Sequence, residues 1–120
     1  MSREIRKYTV FKKSHRLALD IYTVTKSFPA EEKFGLISQM RRSAYSIPMN
    51  LLEGGMRDSE AEFRHFVNIA RGSCAELLYQ IEFSRDLGYI NTEKFIQLST
   101  PCDEIGKMLT RLFQKLKAKS

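Results

Sequence analysis

The sequence predicts an all-α protein, an up-down-up-down antiparallel four-helix bundle with a proline-kinked second helix. Three observations carry this expectation. Apolar residues recur at three- and four-residue spacing in four separate stretches, each several helical turns long. Pro29, Gly54-Gly55 and Gly88, residues that end helices, punctuate those stretches. The strict apolar-polar alternation of a strand appears nowhere. Four amphipathic helices with short connections bury their apolar faces most simply against one another.

The first helix is expected to begin near Thr9, acting as its N-cap. Val10, Ser14, Leu17, Ile21, Val24 and Phe28 form one face, flanked by Phe11, Ala18 and Tyr22, while Lys12, Arg16, Asp20 and Thr23 point away. Pro29 ends it, and residues 29–33 make a short connection with room for a helical turn of its own.

The second helix, residues 34–55, reads FGLISQMRRSAYSIPMNLLEGG and organises the rest. Leu36, Ile37, Met40, Ala44, Ile47 and Leu51 share one side, and Phe34, Tyr45 and Leu52 widen it past half the circumference, so the helix is central. Pro48 removes one backbone hydrogen bond and crowds the Ala44 carbonyl, which predicts a kink. Gly54-Gly55 suits a C-terminus through tolerance of positive φ.

Helix three opens on Ser59-Glu60-Ala61-Glu62, a capping box. Phe63, Phe66, Val67, Ala70, Cys74, Leu77, Ile81 and Ser84 hold one face, and Gly88 stops the helix. At ~1.5 Å per residue it should be roughly 40 Å long. Asn91 or Thr92 caps helix four, where Phe95, Leu98, Cys102, Ile105, Leu109, Leu112 and Leu116 form a bundle seam. Pro101 inside that seam predicts a kink or a split near Ser99. Small residues Ala18, Ala44, Ala70, Gly72 and Gly106 would let backbones approach closely.

At 120 residues, 42% hydrophobic and 28% charged, residues 1–120 make one domain, with an ordered core over about 9–117 and basic termini. No stretch approaches the ~20 apolar residues that span a bilayer, and MSREIRKYTVFKK lacks the apolar core of a signal peptide, so no membrane partner and a cytoplasmic location are expected. Cys74 and Cys102 form no CxxC pair. Cys74 lies fourteen residues before Gly88 and Cys102 eleven after Asn91, so antiparallel helices should bring them into one layer as buried, reduced thiols.

The net charge of +6 is unevenly spread. Residues 1–16 carry six Lys/Arg against Glu4, and residues 107–120 carry five against no acid, so each end is +5 and the middle is −4. With four antiparallel helices both termini meet at one end of the bundle, concentrating a charge that attracts anionic polymers. Solubilising tails with helix-dipole complementation by Lys115, Lys117 and Lys119 are the alternative.

Residues 28–77 carry a family resemblance. The pattern FGL-x-x-Q-x-R-R, then S-I-P-x-N, then E-G, then F-x-x-F-x-x-I-A-x-G-S-x-x-E-L, followed by DLGYI, is similar to the four-helix bundle family encoded in intervening sequences of bacterial large-subunit ribosomal RNA genes. The resemblance covers roughly residues 8–116; Met49, Leu52 and Cys74 depart from the usual pattern in packing rather than chemistry. That family resembles in fold the accessory protein of diversity-generating retroelements, a homopentameric barrel that binds nucleic acid and a reverse transcriptase. The resemblance implies a homopentameric protein with no enzymatic activity, and RNA, DNA, a reverse transcriptase or another protein as partner.

The residues offer no catalytic constellation, no metal site and no cofactor site. Glu62-x-x-His65 has the spacing of di-iron carboxylate bundles, but the second E-x-x-H and the further inward carboxylates are missing, and Glu62 is explained as a cap. His15 and His65 have no nucleophile beside them, and a thiolate at Cys74 would be disfavoured on a core face. Glu53 and Glu76 lie one turn from Asn50 and Ser73, where interhelical hydrogen bonding is the better explanation.

Two readings of function follow. In the first, an oligomer binds nucleic acid non-specifically through Arg57, Arg64 and Arg71, spaced by seven along the solvent side of helix three, together with Lys12, Lys13, Arg16, Arg111 and Lys115. Few aromatics are interleaved with these cations, so phosphate contacts rather than base stacking are expected. His65, Ile69, Tyr79 and Phe83, in line with Gly72 and Glu76, form a stripe away from the core that would meet another subunit. In the second reading the chain is a scaffold or accessory subunit for another protein, and its basic charge is incidental.

Overall fold

The computed structural model describes residues 3–119. Four α-helices follow one another: α1 (Thr9–Thr25), α2 (Leu36–Gly55), α3 (Glu60–Asp86) and α4 (Thr92–Lys119), with short 3-10 turns at Ile5–Lys7 and Ala30–Glu32. Each helix packs on its sequence neighbours, and α4 returns to α1, closing a four-helix bundle with no strand among the described residues. Its long dimension is 45 Å, close to the length of α3.

Most of the core follows the periodicity, although Ile5 and Ile90 are buried outside the predicted faces and Tyr22, expected to flank the face of the first helix, is exposed. Leu17, Ile21, Met40, Ile47, Leu51, Phe63, Leu77, Ile81, Ile105 and Leu109 are fully buried and contributed by all four helices. Ser14 and Thr25 are buried with them, their hydroxyls donating to the Phe11 and Ile21 carbonyls of their own helix, so neither leaves an unsatisfied polar group in the core. Cys74 and Cys102 are free, buried and adjacent, with their sulfurs 3.9 Å apart.

The far end of the bundle is held by polar side chains. The Tyr89 hydroxyl donates to Glu32 at 2.7 Å, and the other oxygen of that carboxylate accepts from the Leu36 N–H at the start of α2. Tyr89 also packs on Phe28, with ring centroids 5.2 Å apart. Arg41, in the second half of the FGL-x-x-Q-x-R-R run, donates to the Thr25 hydroxyl and the Tyr22 carbonyl and lies over the Tyr22 ring. It thereby supplies a cation to the end of α1, which has no basic residue in its last turn.

Several expectations are corrected. Thr9 is the first residue of α1, with Tyr8 as N-cap and no side-chain cap bond. Helix α1 ends at Thr25, ahead of Pro29, although Phe28 still enters the core. Phe34 does not widen the apolar face of α2: Gly35 has non-helical dihedrals, α2 starts after it, and Phe34 is 87% exposed. Helix α4 is not split near Ser99, since it runs through Pro101 from Thr92 to Lys119. At the starts of α3 and α4, Ser59 accepts from the Glu62 N–H and Asn91 accepts from the Lys94 N–H, as expected of caps.

The Gly54-Gly55 pair serves packing rather than positive φ. Both lie inside α2, and Gly88, at φ 79°, is the glycine that takes the left-handed conformation. A Cβ at Gly54 would lie 2.7 Å from the Phe66 Cβ, and one at Gly55 would lie 2.3 Å from Ile5 Cγ1. Ile5, a buried residue of the first 3-10 turn, therefore seats directly on the α2 backbone. Gly72 on α3 is the opposite case, because a Cβ there meets nothing within 4 Å. Gly55→Ala is expected to destabilise the protein by ~1–2 kcal/mol, overpacking outweighing the gain in helix propensity. Gly72→Ala should raise stability by ~0.5–1 kcal/mol. Urea unfolding of both variants checks the contrast, and equal shifts of the same sign would refute it.

Candidate nucleic-acid interface

One end of the bundle gathers the start of α1, the end of α2, the start of α3 and the end of α4. Its centre is Arg3. The guanidinium lies 4.5 Å over the Phe63 ring and donates to the Arg57 carbonyl at 2.7 Å, to the Gly55 carbonyl and to the Glu60 carboxylate. That hydrogen bond holds the Glu60 carboxyl below its ordinary range, and the charges of Arg3 and of Lys119 from the other terminus act in the same direction. The two basic termini do meet, as the topology required, but acids of the α2–α3 turn share their end.

The eight cations singled out from the sequence fall into three groups. Lys12, Lys13 and Arg16 lie on α1, and Arg111 and Lys115 lie on α4. Lys13 pairs with Glu104 at 2.8 Å, which shows that the Glu104 side of α4 faces α1. Arg111 and Lys115 follow Glu104 by seven and eleven residues, so they share that side. Among the described residues no carboxylate pairs with Lys12, Arg16, Arg111 or Lys115, and all four are exposed.

Arg57, Arg64 and Arg71 do not form one solvent-facing row. Arg57 precedes α3, pairs with Glu53 and lies 4.6 Å over the Phe66 ring. Arg71 turns toward α4, donating to Thr110 and Asn68 and covering the Phe113 ring at 4.5 Å. Arg64 is half-buried. The expectation that few aromatics accompany the cations is corrected as well, because the rings are contributed by other turns and helices and so were invisible in the linear order. Their faces are occupied by guanidinium groups.

A groove of about 770 Å³ between α3 and α4 has no counterpart among the sequence expectations. Arg71 and Arg111 line it with Lys107, while Gly72, Ala75 and Gly106 keep it open and Cys74 and Cys102 lie at its floor. The signal was present in Gly72 and Gly106, but it needs the register of two helices to become a groove.

His65, Ile69, Gly72, Glu76, Tyr79 and Phe83 are all exposed on the side of α3 opposite its core face. Tyr79 is 63% exposed, Phe83 42% and Ile69 40%. Beside this stripe the Gln80 Oε1 atom is buried without a hydrogen-bond partner among the described residues. Ser46 and Ser73 share a hydrogen bond at 2.8 Å between α2 and α3, and Asn50 donates to Ser46, so the polar groups near Glu53 and Glu76 join helices. Among the described residues no group of three or more His, Cys, Asp or Glu is placed to hold a metal ion, and no helix is long and apolar enough to cross a membrane.

The model of a family described as 23S rRNA-intervening sequence protein matches residues 6–111. The fold is similar to the crystal structure of a protein of unknown function from the S23 ribosomal protein family of Bacteroides thetaiotaomicron, with a TM-score of 0.81 and 30% sequence identity over 88% of this chain and 95% of that one. No curated protein matches the sequence.

The Arg3–Glu60 contact makes part of the stability acid-sensitive. A carboxyl whose folded pKa is lowered contributes stability above its unfolded pKa and loses it as pH falls through the folded value. Glu60→Gln should therefore lower the urea midpoint modestly at pH 7, with the two proteins converging on acidification below the ordinary carboxylate range. A difference that persists in acid would assign Glu60 a role other than this pairing.

Proposed function

The chain belongs to the 23S rRNA-intervening sequence protein family, and from that premise we propose that it is a non-enzymatic, homo-oligomeric bundle that binds RNA or DNA through its phosphates, without sequence preference. The observation that carries this reading is the exposed, unpaired set Lys12, Arg16, Arg111 and Lys115 on the neighbouring α1 and α4 helices. Cations without a protein carboxylate are free to exchange their counterions for phosphates, which drives binding that is insensitive to sequence. The guanidinium groups of Arg3, Arg57 and Arg71 already cover aromatic faces, leaving those rings unavailable for base stacking.

The exposed, mutually packed rings of Tyr79 and Phe83, with Ile69 further along the same side of α3, support self-association, since exposed aromatic surface on a helix is costly to leave in water. The orphaned Gln80 oxygen beside it would find a donor on a second subunit. Fivefold assembly rests on the likeness to the retroelement accessory protein. Repetition of the α1–α4 basic face around a ring would raise a weak single-subunit affinity through multivalency.

In filter binding to single-stranded RNA, affinity should fall steeply with salt. Replacing Lys12, Arg16, Arg111 and Lys115 by Gln should flatten the log–log slope by about 0.7 per phosphate contact removed. No retention at low salt would replace this reading with that of a protein scaffold. Phe83→Asp should lower the mass seen by light scattering while leaving the helical circular dichroism unchanged. An unchanged mass for an oligomeric wild type would remove the stripe from the interface.

A further inference from the structure

We infer that Cys74 and Cys102 form a redox-active dithiol, a modification site at the floor of the α3–α4 groove that a small peroxide converts to a disulfide joining the two helices. The geometry is reciprocal. The Cys74 thiol donates to the Cys102 carbonyl at 3.3 Å, and the Cys102 thiol points back to the Cys74 carbonyl at 3.6 Å. Each sulfur thus reaches the opposite backbone, which happens only where two helices run unusually close. Gly106 leaves the Cys74 sulfur uncovered on the groove side, since a Cβ there would sit 3.6 Å from it, in ordinary van der Waals contact. The sulfurs stand 3.9 Å apart and must close to the ~2.05 Å of a disulfide bond.

Access comes from the groove. Cys74 and Cys102 both line it, and the residues around them, Gly72, Ala75 and Gly106, are small. Cys74 keeps 3% exposure and Cys102 none, so a small peroxide entering by the groove meets the Cys74 sulfur, and Cys102 is reached through Cys74 rather than from solvent. The two thiols are also unequal. The hydrogen bond from Cys102 lowers the pKa of Cys74 against the upward push of burial, while that bond and burial together push Cys102 upward. Cys74 is accordingly the attacking group.

The steps balance with hydrogen peroxide as oxidant. The Cys74 sulfur attacks one peroxide oxygen, the O–O bond breaks, and the leaving hydroxide takes the thiol proton as water, giving a sulfenic acid. The Cys102 sulfur then attacks the Cys74 sulfur. The S–S bond forms, the S–O bond breaks, and the hydroxyl departs with the Cys102 proton as a second water. Two thiols are oxidised and one peroxide is reduced.

The test treats the full-length, reduced protein with hydrogen peroxide under native conditions, then denatures it and labels remaining thiols with maleimide. The expected product is lighter by two hydrogens, takes no maleimide, yields a peptide linking α3 to α4, and is restored by dithiothreitol. Cys102→Ser should stop at a sulfenic acid on Cys74, one oxygen heavier and trapped by dimedone. Gly106→Ala, which covers the Cys74 sulfur, should slow the wild-type reaction several-fold. Two maleimide-reactive thiols remaining after full oxidation of a dithiothreitol control would overturn the inference. So would a cross-link that forms only between chains, or one whose rate climbs with urea, since oxidation would then need unfolding.

Discussion

The structure depends first on the close approach of three backbones at Gly54 and Gly55. Neither position has room for a methyl group: Phe63 and Phe66 of α3 press on the first, and Ile5 presses on the second. Because Ile5 is seated there, Arg3 can lie across Phe63 and reach the Gly55 and Arg57 carbonyls. The N-terminal segment is thus part of the folded unit, and its charge is fixed beside the end of α4. A basic segment that merely trailed into solvent would have no defined relation to Arg111 and Lys115.

The residues that carry the family resemblance turn out to be the ones that hold the bundle. Arg41 supplies charge to the end of α1, Ser46 and Ser73 bridge α2 and α3, Gly54 and Gly55 allow close packing, and Gly88 and Tyr89 make the turn into α4. The cations of the proposed phosphate surface lie outside these positions, Lys12 and Arg16 on α1 and Arg111 and Lys115 on α4. The chemistry of the resemblance therefore explains the scaffold, and the charge distribution laid over it supports the reading of function.

Much of the fold was legible because helical periodicity and capping are local. Ser59, Asn91 and the buried faces of α3 and α4 follow from spacing and side-chain chemistry alone. Even the Cys74–Cys102 contact could be reached by counting from a shared turn, since antiparallel helices rise equally per residue. Some helix ends were misplaced locally, at Thr9, Thr25 and Phe34, but the failures that bear on the site depended on a second helix. Gly54 and Gly55 read as conformational freedom when the cause was steric, and Arg71 read as exposed because Phe113 lies 42 residues away. The α3–α4 groove is a joint absence of side chains at Gly72, Ala75 and Gly106, visible only once register is known.

The proposed surface makes a spatial claim: phosphates meet the α1–α4 face near the termini, held in place by the packing at Gly55. Backbone amide shifts of the isotopically labelled protein, followed during titration with a short single-stranded RNA at low salt, test it directly. The expected changes are concentrated in residues 3–16 and 107–119 and fade as salt is raised. Changes centred instead on the opposite end, around Lys33 and Arg85, or no changes at all, would contradict it.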